Sequence, residues 1–467
     1  MTSRIRRLNQ QPVRREGEFV LYWSQMNRRV DSNHALEFAA AQANELGLPL
    51  LFYEGLTCTY PHANDRFHTF LLEGVEETAR RARRRGIGYA FYLRRRRSDP
   101  NDIVYRLASR AAAVVTDDYP TFIAAVHNAR VPGRIGTAFF AVDASCVVPM
   151  NLIEKKEYGA YTIRPKIHRL LGEWLRPVET NPLMRRWTLP PFGFETEVTA
   201  AAIADLVASC EIDHAVKPSL SYQGGRLAAE RHLRHFLENN LRRYDSDKNE
   251  PAAHATSNLS PWLHFGHISA IEVALASRLR AAEHGEADAG FLEELIVRRE
   301  LAFNHARFAP RPDSLDALPD WAKQTLRKHA RDPRNPVYTR EEFERGATHD
   351  ALWNATQKEL LLRGKIHGYY RMYWGKKIIE WSPSVEEAAD TMVYLHDRYA
   401  LDGRDPNTYT NILWCFGLHD RPWSERPIFG MVRYMSLEGM RRKTAVDAYL
   451  REIATLELTG RDPFRLQ

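Results

Sequence analysis

The chain has 467 residues, which is too long for one ordinary hydrophobic core and predicts two or three domains. Hydrophobic residues make up 44% and charged residues 27%, as in soluble globular proteins, and no run of about 18 apolar residues predicts a membrane span. The net charge of +7 favours an anionic partner such as nucleic acid. The four cysteines have no metal-ligand or disulfide spacing, so we expect no metal site and a cytoplasmic location.

The first third of the chain alternates short apolar runs with helical patterns. Residues 1–18 are basic and are expected to be flexible. Because helical patterns separate the apolar runs that follow, residues 19–176 are predicted to form an α/β domain with a doubly wound parallel sheet. No glycine-rich phosphate motif reveals a ligand for this domain. The predicted strands are Phe19–Trp23, Pro49–Tyr53, Tyr89–Leu93 and Val114–Asp117.

A second, helical domain is predicted over residues 199–467, after a linker at 177–198 that is rich in Pro, Trp and Arg. Ser257 and Ser260, just before Pro261, are candidates for the N-cap of a helix. Hydroxyl groups at a helix N-terminus suit a phosphate ligand, and an ordinary capped helix is the alternative.

The densest mixture of aromatic, charged and amide side chains lies between Trp353 and Trp414. Arg371 stands within a helical pattern of apolar and aromatic residues, where a guanidinium needs a carboxylate partner. Asp402 and Asp405, in a turn-rich segment, can supply one. Such a pair either only locks a helix to a loop or belongs to a site, and the residues alone leave both interpretations open.

Several segments, in this order, resemble class II cyclobutane pyrimidine dimer photolyases. The resemblance implies the photolyase/cryptochrome fold, with an α/β N-terminal domain and an all-α C-terminal FAD-binding domain. It further implies a monomeric enzyme that uses light to repair DNA. The segments are S-N-L-S-P-W-L-H-F-G (257–266), W-N-A-T-Q (353–357), H-G-Y-Y-R-M-Y-W-G-K-K-I-I-E-W (367–381), L-D-G-R-D-P-N (401–407) and W-S-E-R-P-I-F-G-M-V-R-Y-M-S (423–436).

The resemblance implies FAD as the cofactor. It places the serine-rich segment at the phosphates and ribityl chain, and the Arg371–Asp402 pair beside the isoalloxazine ring. An antenna chromophore of deazaflavin type in the N-terminal domain is implied by the family alone. The implied FAD-binding residues are Thr256, Ser257, Leu259, Ser260, Arg371, His396, Asp402, Asp405 and Asn407.

The implied chemistry is transfer of one electron to the lesion and back, which the flavin supplies and the side chains orient. Trp353 and Trp374 match tryptophans that photoreduce the flavin, with Trp374 nearer to it, and core packing is the alternative. The partner is DNA containing pyrimidine dimers, with Glu300, Met372 and Trp414 at the flipped lesion. Phosphate contacts are expected from Arg421, Arg426, Arg433, Arg441, Arg442 and Lys443.

Three departures from the family pattern concern the same site. His396 stands where an asparagine facing flavin N5 is usual, His267 replaces a glutamine, and Asn304–Phe308 replaces an aromatic-rich segment. Since histidine titrates near neutral pH, His396 is expected to change which flavin redox state is stable. These departures favour the alternative of a cryptochrome-like photoreceptor with little repair. A third interpretation, a flavin-free helical DNA-binding protein, requires both FAD-like segments to be accidental.

Overall fold

The computed structural model describes residues 2–466. Its N-terminal part is a six-stranded sheet whose two central strands, residues 19–24 and 111–117, are mostly apolar and buried on both faces. Alternate residues of these strands face two separate hydrophobic clusters, one on each side of the sheet. The strands are β1 (Ile5–Arg7), β2 (Phe19–Ser24), β3 (Leu50–Thr57), β4 (Gly88–Arg94), β5 (Ala111–Asp117) and β6 (Ala138–Val142).

The strand order is β1-β6-β5-β2-β3-β4. All neighbouring pairs are parallel except β1–β6, and the direction of winding reverses beside β2. The predicted doubly wound parallel sheet is therefore confirmed. The four predicted strands overlap β2 to β5, whereas β1 and β6 were not predicted.

The N-terminal segment differs from expectation. β1 adds an antiparallel edge strand next to β6. Arg4 is fully buried and donates hydrogen bonds to the carbonyl oxygens of Cys146 and Val147 at 2.8 and 2.6 Å. The prediction that residues 1–18 are flexible is thus wrong for residues 4–7. The sequence does not reveal this, because Arg4 is held by backbone carbonyl groups, and such contacts produce no periodic pattern of residue types.

Helices form the rest of the molecule. A π-helical turn at Glu293–Arg298 runs directly into α12. The helices of the sheet domain are α1 (His34–Leu46), α2 (Asp65–Arg84), α3 (Ile103–Arg110), α4 (Phe122–Arg130) and α5 (Ala160–Trp174). Those that follow are α6 (Ile203–Ala208), α7 (Arg226–Asn239), α8 (Tyr244–Asp247), α9 (Ser260–His264), α10 (Ala270–His284), α11 (Ala289–Leu292), α12 (Arg299–Phe308), α13 (Asp320–Lys328), α14 (Arg340–Arg345), α15 (Ala351–Arg363), α16 (Gly368–Trp381), α17 (Val385–Tyr399), α18 (Pro406–Cys415), α19 (Leu437–Lys443) and α20 (Val446–Thr459).

The predicted linker, residues 177–198, contains no helix or strand. It packs along the sheet domain, because the rings of Trp187 and Phe192 lie 5.6 and 5.8 Å from that of Phe19. The domain boundaries themselves remain predictions. Over residues 2–466, no helix combines the length and apolar character needed to cross a membrane. The same residues contain no group of three or more His, Cys, Asp or Glu side chains that could hold a metal ion.

Candidate functional site

The serine-rich segment leads into α9, a helix of five residues. Ser257 and Ser260 do not cap it: the N-cap residue is Leu259, which has no side-chain hydrogen bond, and Ser260 is the first helical residue. The Ser260 hydroxyl instead donates to Oδ2 of Asp402 at 2.7 Å. Thr256 bonds the side chain of Asn258. The N-cap prediction is therefore wrong, but the segment does lie against the Asp402 loop.

Arg371 and Asp402 pair as predicted. Nη2 of Arg371, on α16, lies 3.1 Å from Oδ2 of Asp402, and both side chains are largely buried. Burial alone would raise the pKa of Asp402, but the Arg371 guanidinium and the Lys365 ammonium oppose it and hold that pKa below its usual value. The carboxylate is therefore ionised at neutral pH and compensated within the protein.

His396 projects from α17 towards this pair and is 1% exposed. Burial, followed by repulsion from Arg371, lowers the pKa of His396 to about 3. The expectation of a charge change near neutral pH is therefore wrong, and His396 is a neutral imidazole. Its Nδ1 and the Nε of Arg371 are both buried without a hydrogen-bond partner. Two unsatisfied nitrogens beside an anion fit the polar edge of a flat aromatic ring such as isoalloxazine.

Asp405 has a structural role. Its carboxylate caps α18 by accepting from the backbone and side-chain nitrogens of Asn407 at 2.8 and 2.7 Å. The same carboxylate accepts from the hydroxyl of Tyr119, in the sheet domain, at 2.6 Å and lies 3.3 Å from His264. Burial opposes ionisation, yet the hydrogen bonds from His264 and Tyr119 lower the pKa of Asp405 to about 2. Asp405 and Asn407 thus fix the loop that carries Asp402.

Glu300 is buried at the contact between α12 and the loop after β6. Its carboxylate accepts from the backbone N–H groups of Val147 at 2.5 Å and Val148 at 3.2 Å. Burial raises the pKa of Glu300 to about 8 even though these N–H groups favour the anion. The structure therefore accounts for both carboxylate oxygens within the protein, and a contact with a lesion stays a prediction.

Trp353 and Trp374 form a stack between α15 and α16. Their rings are parallel to within 4°, with centroids 6.4 Å apart, and both are almost completely buried. Trp381 packs edge-on against Trp353 at 6.3 Å and lies 4.8 Å from the ring of the exposed His349. Trp374 is three residues from Arg371 on the same helix, so the stack runs from the Arg371–Asp402 pair towards the surface.

The remaining predicted residues are Met372, Trp414 and six basic side chains within residues 421–443. Met372 and Trp414 are half-buried, and the cations of Lys376 and Arg433 lie 5.6 and 5.1 Å from the Trp414 ring. Arg433 also pairs with Asp420 at 3.4 Å. The other predicted phosphate-binding side chains are exposed, namely Arg421, Arg426, Arg441, Arg442 and Lys443.

Sequence reasoning missed four residues of these clusters. Trp423 is 39% exposed and has Arg421 and Arg433 on its ring, at 5.3 and 4.4 Å. The arginine-rich sequence around Trp423 could have predicted this role. No sequence feature predicts the roles of Gln357, Tyr119 and His264, because these roles depend on contacts between distant parts of the chain.

Comparison with known proteins identifies the family. A family model described as DNA photolyase matches residues 20–183. A deoxyribodipyrimidine photo-lyase of Methanothermobacter thermautotrophicus is 41% identical and covers 97% of this chain and 98% of its own. One from Oryza sativa subsp. japonica is 38% identical over 94% of this chain and 88% of its own.

Solved structures show the same fold. A cryptochrome from Synechocystis sp. PCC6803 matches 96% of this chain and 91% of its own with a TM-score of 0.70 at 17% identity. A photolyase from Sulfolobus tokodaii, solved with two FAD molecules, matches 94% and 91% with a TM-score of 0.62 at 16% identity. Because near-full-length relatives exceed 30% identity, this chain belongs to the DNA photolyase family, whose curated relatives are deoxyribodipyrimidine photo-lyases.

Proposed function

We propose that this enzyme binds FAD and uses light to split cyclobutane pyrimidine dimers in DNA, as class II photolyases do. The observation that carries the proposal is the buried cluster of Ser260, Arg371, Asp402 and His396 beside the tryptophan stack. Reduced FAD, when bound and excited, supplies the electron that opens the dimer and recovers it afterwards.

The side chains of the cluster have separate tasks. Arg371 would supply a positive charge to the bound flavin, which would favour its anionic reduced form. Asp402 keeps Arg371 in place and is itself held by Ser260. His396 is neutral and offers one unpartnered ring nitrogen, which either donates or accepts according to its tautomer.

DNA binding is assigned to the basic side chains of residues 421–443 and to the two nearby tryptophans. The exposed arginines suit the phosphates, while Trp414 and Trp423 offer aromatic surface to unstacked bases. Met372 and Glu300 are proposed to complete the lesion pocket. Glu300 accepts from the backbone N–H groups of Val147 and Val148, and the hydrogen-bonding capacity that remains on its two oxygens is proposed to serve the lesion.

An antenna chromophore has less support from the sheet domain. At the carboxyl ends of β2 and β5, the Asp117 carboxylate accepts from the backbone N–H groups of residues 25–27. Gln25 there bonds His127 at 2.7 Å and Asn128 at 3.0 Å. These polar groups satisfy one another, so we assign them no deazaflavin or other pigment.

The test is light-dependent repair of a thymine-dimer oligonucleotide by the photoreduced, FAD-containing protein, with restored thymines measured by chromatography. We expect repair in light and none in the dark. The replacement of the usual asparagine by His396 favours the alternative, a cryptochrome-like photoreceptor. Ready photoreduction of the bound FAD without any repair would establish that alternative and refute ours.

A further inference from the structure

Gln357 lies one turn after Trp353 on α15 and is completely buried. Its amide oxygen accepts a hydrogen bond from Nε1 of Trp374 at 2.9 Å. Its amide nitrogen donates to the backbone carbonyl of Glu344 at 3.1 Å. The second bond fixes the orientation of the amide, so the indole N–H of Trp374 faces a neutral oxygen, which is a very weak base.

The indole N–H of Trp353 also donates to a neutral acceptor. Nε1 of Trp353 donates to the backbone carbonyl of Trp374 at 3.0 Å. The carboxylate of Asp350, at the N-cap of the same helix, accepts from the backbone N–H of Trp353 at 3.0 Å and from the Tyr373 hydroxyl. Both indole N–H groups of the stack therefore meet neutral acceptors, while the Asp350 carboxylate bonds a backbone N–H and a hydroxyl instead.

The outer end of the stack has a different environment. Trp381 is 4% exposed, and its ring lies 4.8 Å from the exposed imidazole of His349. Imidazole is a base of moderate strength, so a proton acceptor is present at this end. The indole N–H groups of Trp353 and Trp374 thus have neutral acceptors, whereas an imidazole ring lies next to Trp381.

We propose that Gln357 is a positioning residue that occupies the hydrogen-bond position at Nε1 of Trp374 with a non-basic acceptor, so that no base takes the indole proton while this tryptophan is oxidised. The inference rests on the proposed function, in which Trp374 gives one electron to the photoexcited flavin and recovers one from Trp353. Between these steps Trp374 is a radical cation, which is a much stronger acid than indole. A base within hydrogen-bond reach would take the Nε1 proton and leave a neutral radical.

Whether oxidised Trp374 keeps its Nε1 proton determines how far the electron vacancy moves along the stack. A neutral indole radical is a weaker oxidant than the cation, so proton loss at Trp374 would strand the vacancy beside the cofactor, where the electron returns. With Gln357 as acceptor no N–H bond breaks, and Trp353 and then Trp381 can refill the vacancy. The oxidised Trp381 at the outer end finally takes an electron from a reductant in solution, such as a thiol, so reduction of the cofactor persists.

Flash excitation of the holoprotein with oxidised FAD tests this role, because cation and neutral indole radicals absorb at different wavelengths. The informative variant is Gln357→Glu, which puts a carboxylate at the same hydrogen-bond distance. We expect the wild type to show the cation first. We expect the variant to show the neutral radical at the earliest times and to lose lasting photoreduction. The matched control is Gln357→Met, which removes the acceptor without adding a base and should keep the cation.

The outcomes separate this inference from the proposed function. An unchanged cation signal in Gln357→Glu, with intact photoreduction, would overturn the role of Gln357 alone. Immediate neutral radical in Gln357→Met would overturn it as well, since that variant has no base. Absence of any tryptophan radical in the wild type would refute the relay itself. If Gln357→Glu does not retain FAD, Gln357→His supplies the base instead and is expected to give the same shift to the neutral radical.

Discussion

The side chains around Asp402 combine a satisfied charge with unsatisfied donors. Asp402 accepts from both Ser260 and Arg371, so its negative charge is compensated before any ligand arrives. Nε of Arg371 and Nδ1 of His396 are buried without partners, which costs about 1–3 kcal/mol for each group. A ligand that bonds these atoms removes that cost. Binding of the cofactor is therefore expected to stabilise the fold as well as to enable the chemistry.

The neutral state of His396 predicts how acid affects the fold. The unfolded chain takes up a proton at His396 near a pKa of about 6.5, whereas the folded protein, with a pKa of about 3, does not. This lowered pKa makes the wild type lose stability as the pH falls below about 6.5. The variant His396→Asn has no histidine to protonate at this position. Between about pH 7 and pH 5 the wild type should therefore lose about 2 kcal/mol more of its free energy of unfolding than the variant does.

Urea unfolding of the apoprotein at both pH values measures this difference. The buried His267, whose pKa burial lowers to about 3, provides the control, because His267→Gln should remove a similar acid-dependent loss at another position. If wild type and His396→Asn lose the same stability between these two pH values, His396 has an ordinary pKa in the folded state.

The packing of α15, α16, α17 and α18 determines the geometry of the site. α15 carries Trp353 and Gln357, while α16 carries both Arg371 and Trp374. A small shift of α16 would therefore change the cofactor contacts and the tryptophan stack together. Gly375 allows the close approach of α16, because a Cβ there would lie 2.8 Å from Sγ of Cys415 and 3.4 Å from Sδ of Met392.

Gly375→Ala is therefore expected to destabilise the protein, although alanine favours helix by about 1 kcal/mol over glycine. Overpacking at a buried helix contact lowers the free energy of unfolding by about 1–3 kcal/mol and displaces the helix. The change should also reduce FAD retention, measured as flavin absorbance per protein. Gly368→Ala is the matched control, since nothing lies within 4 Å of a Cβ at that exposed end of α16. Restored stability and FAD content in Gly375→Ala/Cys415→Ala would confirm the cause, and equal stability of both single variants would contradict it.

Local patterns in the sequence predict the elements but not the partners of buried polar groups. The central strands β2 and β5 were predictable because each contains a run of apolar residues, and the Arg371–Asp402 pair because an arginine in an apolar helix needs a carboxylate. Burial of His396, and hence its neutral state, was not predictable, since it depends on three helices meeting. The same holds for Arg4, which bonds carbonyl groups about 140 residues away in sequence.

Polar contacts join the sheet domain to the helices. Arg66 of α2 donates to the backbone carbonyls of Leu360 and Tyr399, at 3.0 and 2.7 Å. Tyr119 donates to Asp405, and Glu300 accepts from Val147. Each contact places one end of a helix or loop that carries the candidate site. The sheet domain therefore acts as a scaffold for the site.

Glu300 makes the strength of this junction depend on pH. Its pKa near 8 in the folded protein exceeds the unfolded value of about 4.3, so stability from this group is complete at acid pH and falls as the pH rises to about 8. Gln in place of Glu300 keeps an acceptor for the Val147 N–H but cannot ionise. Glu300→Gln should therefore gain roughly 3 kcal/mol of unfolding free energy relative to wild type between about pH 5 and pH 8, measured by urea unfolding.

The control Glu293→Gln should show the opposite trend in acid, because a hydrogen bond from Arg164 lowers the pKa of Glu293. A difference between Glu300→Gln and wild type that does not vary with pH would show that Glu300 is ionised in the folded protein, and the N–H groups of Val147 and Val148 would then outweigh its burial.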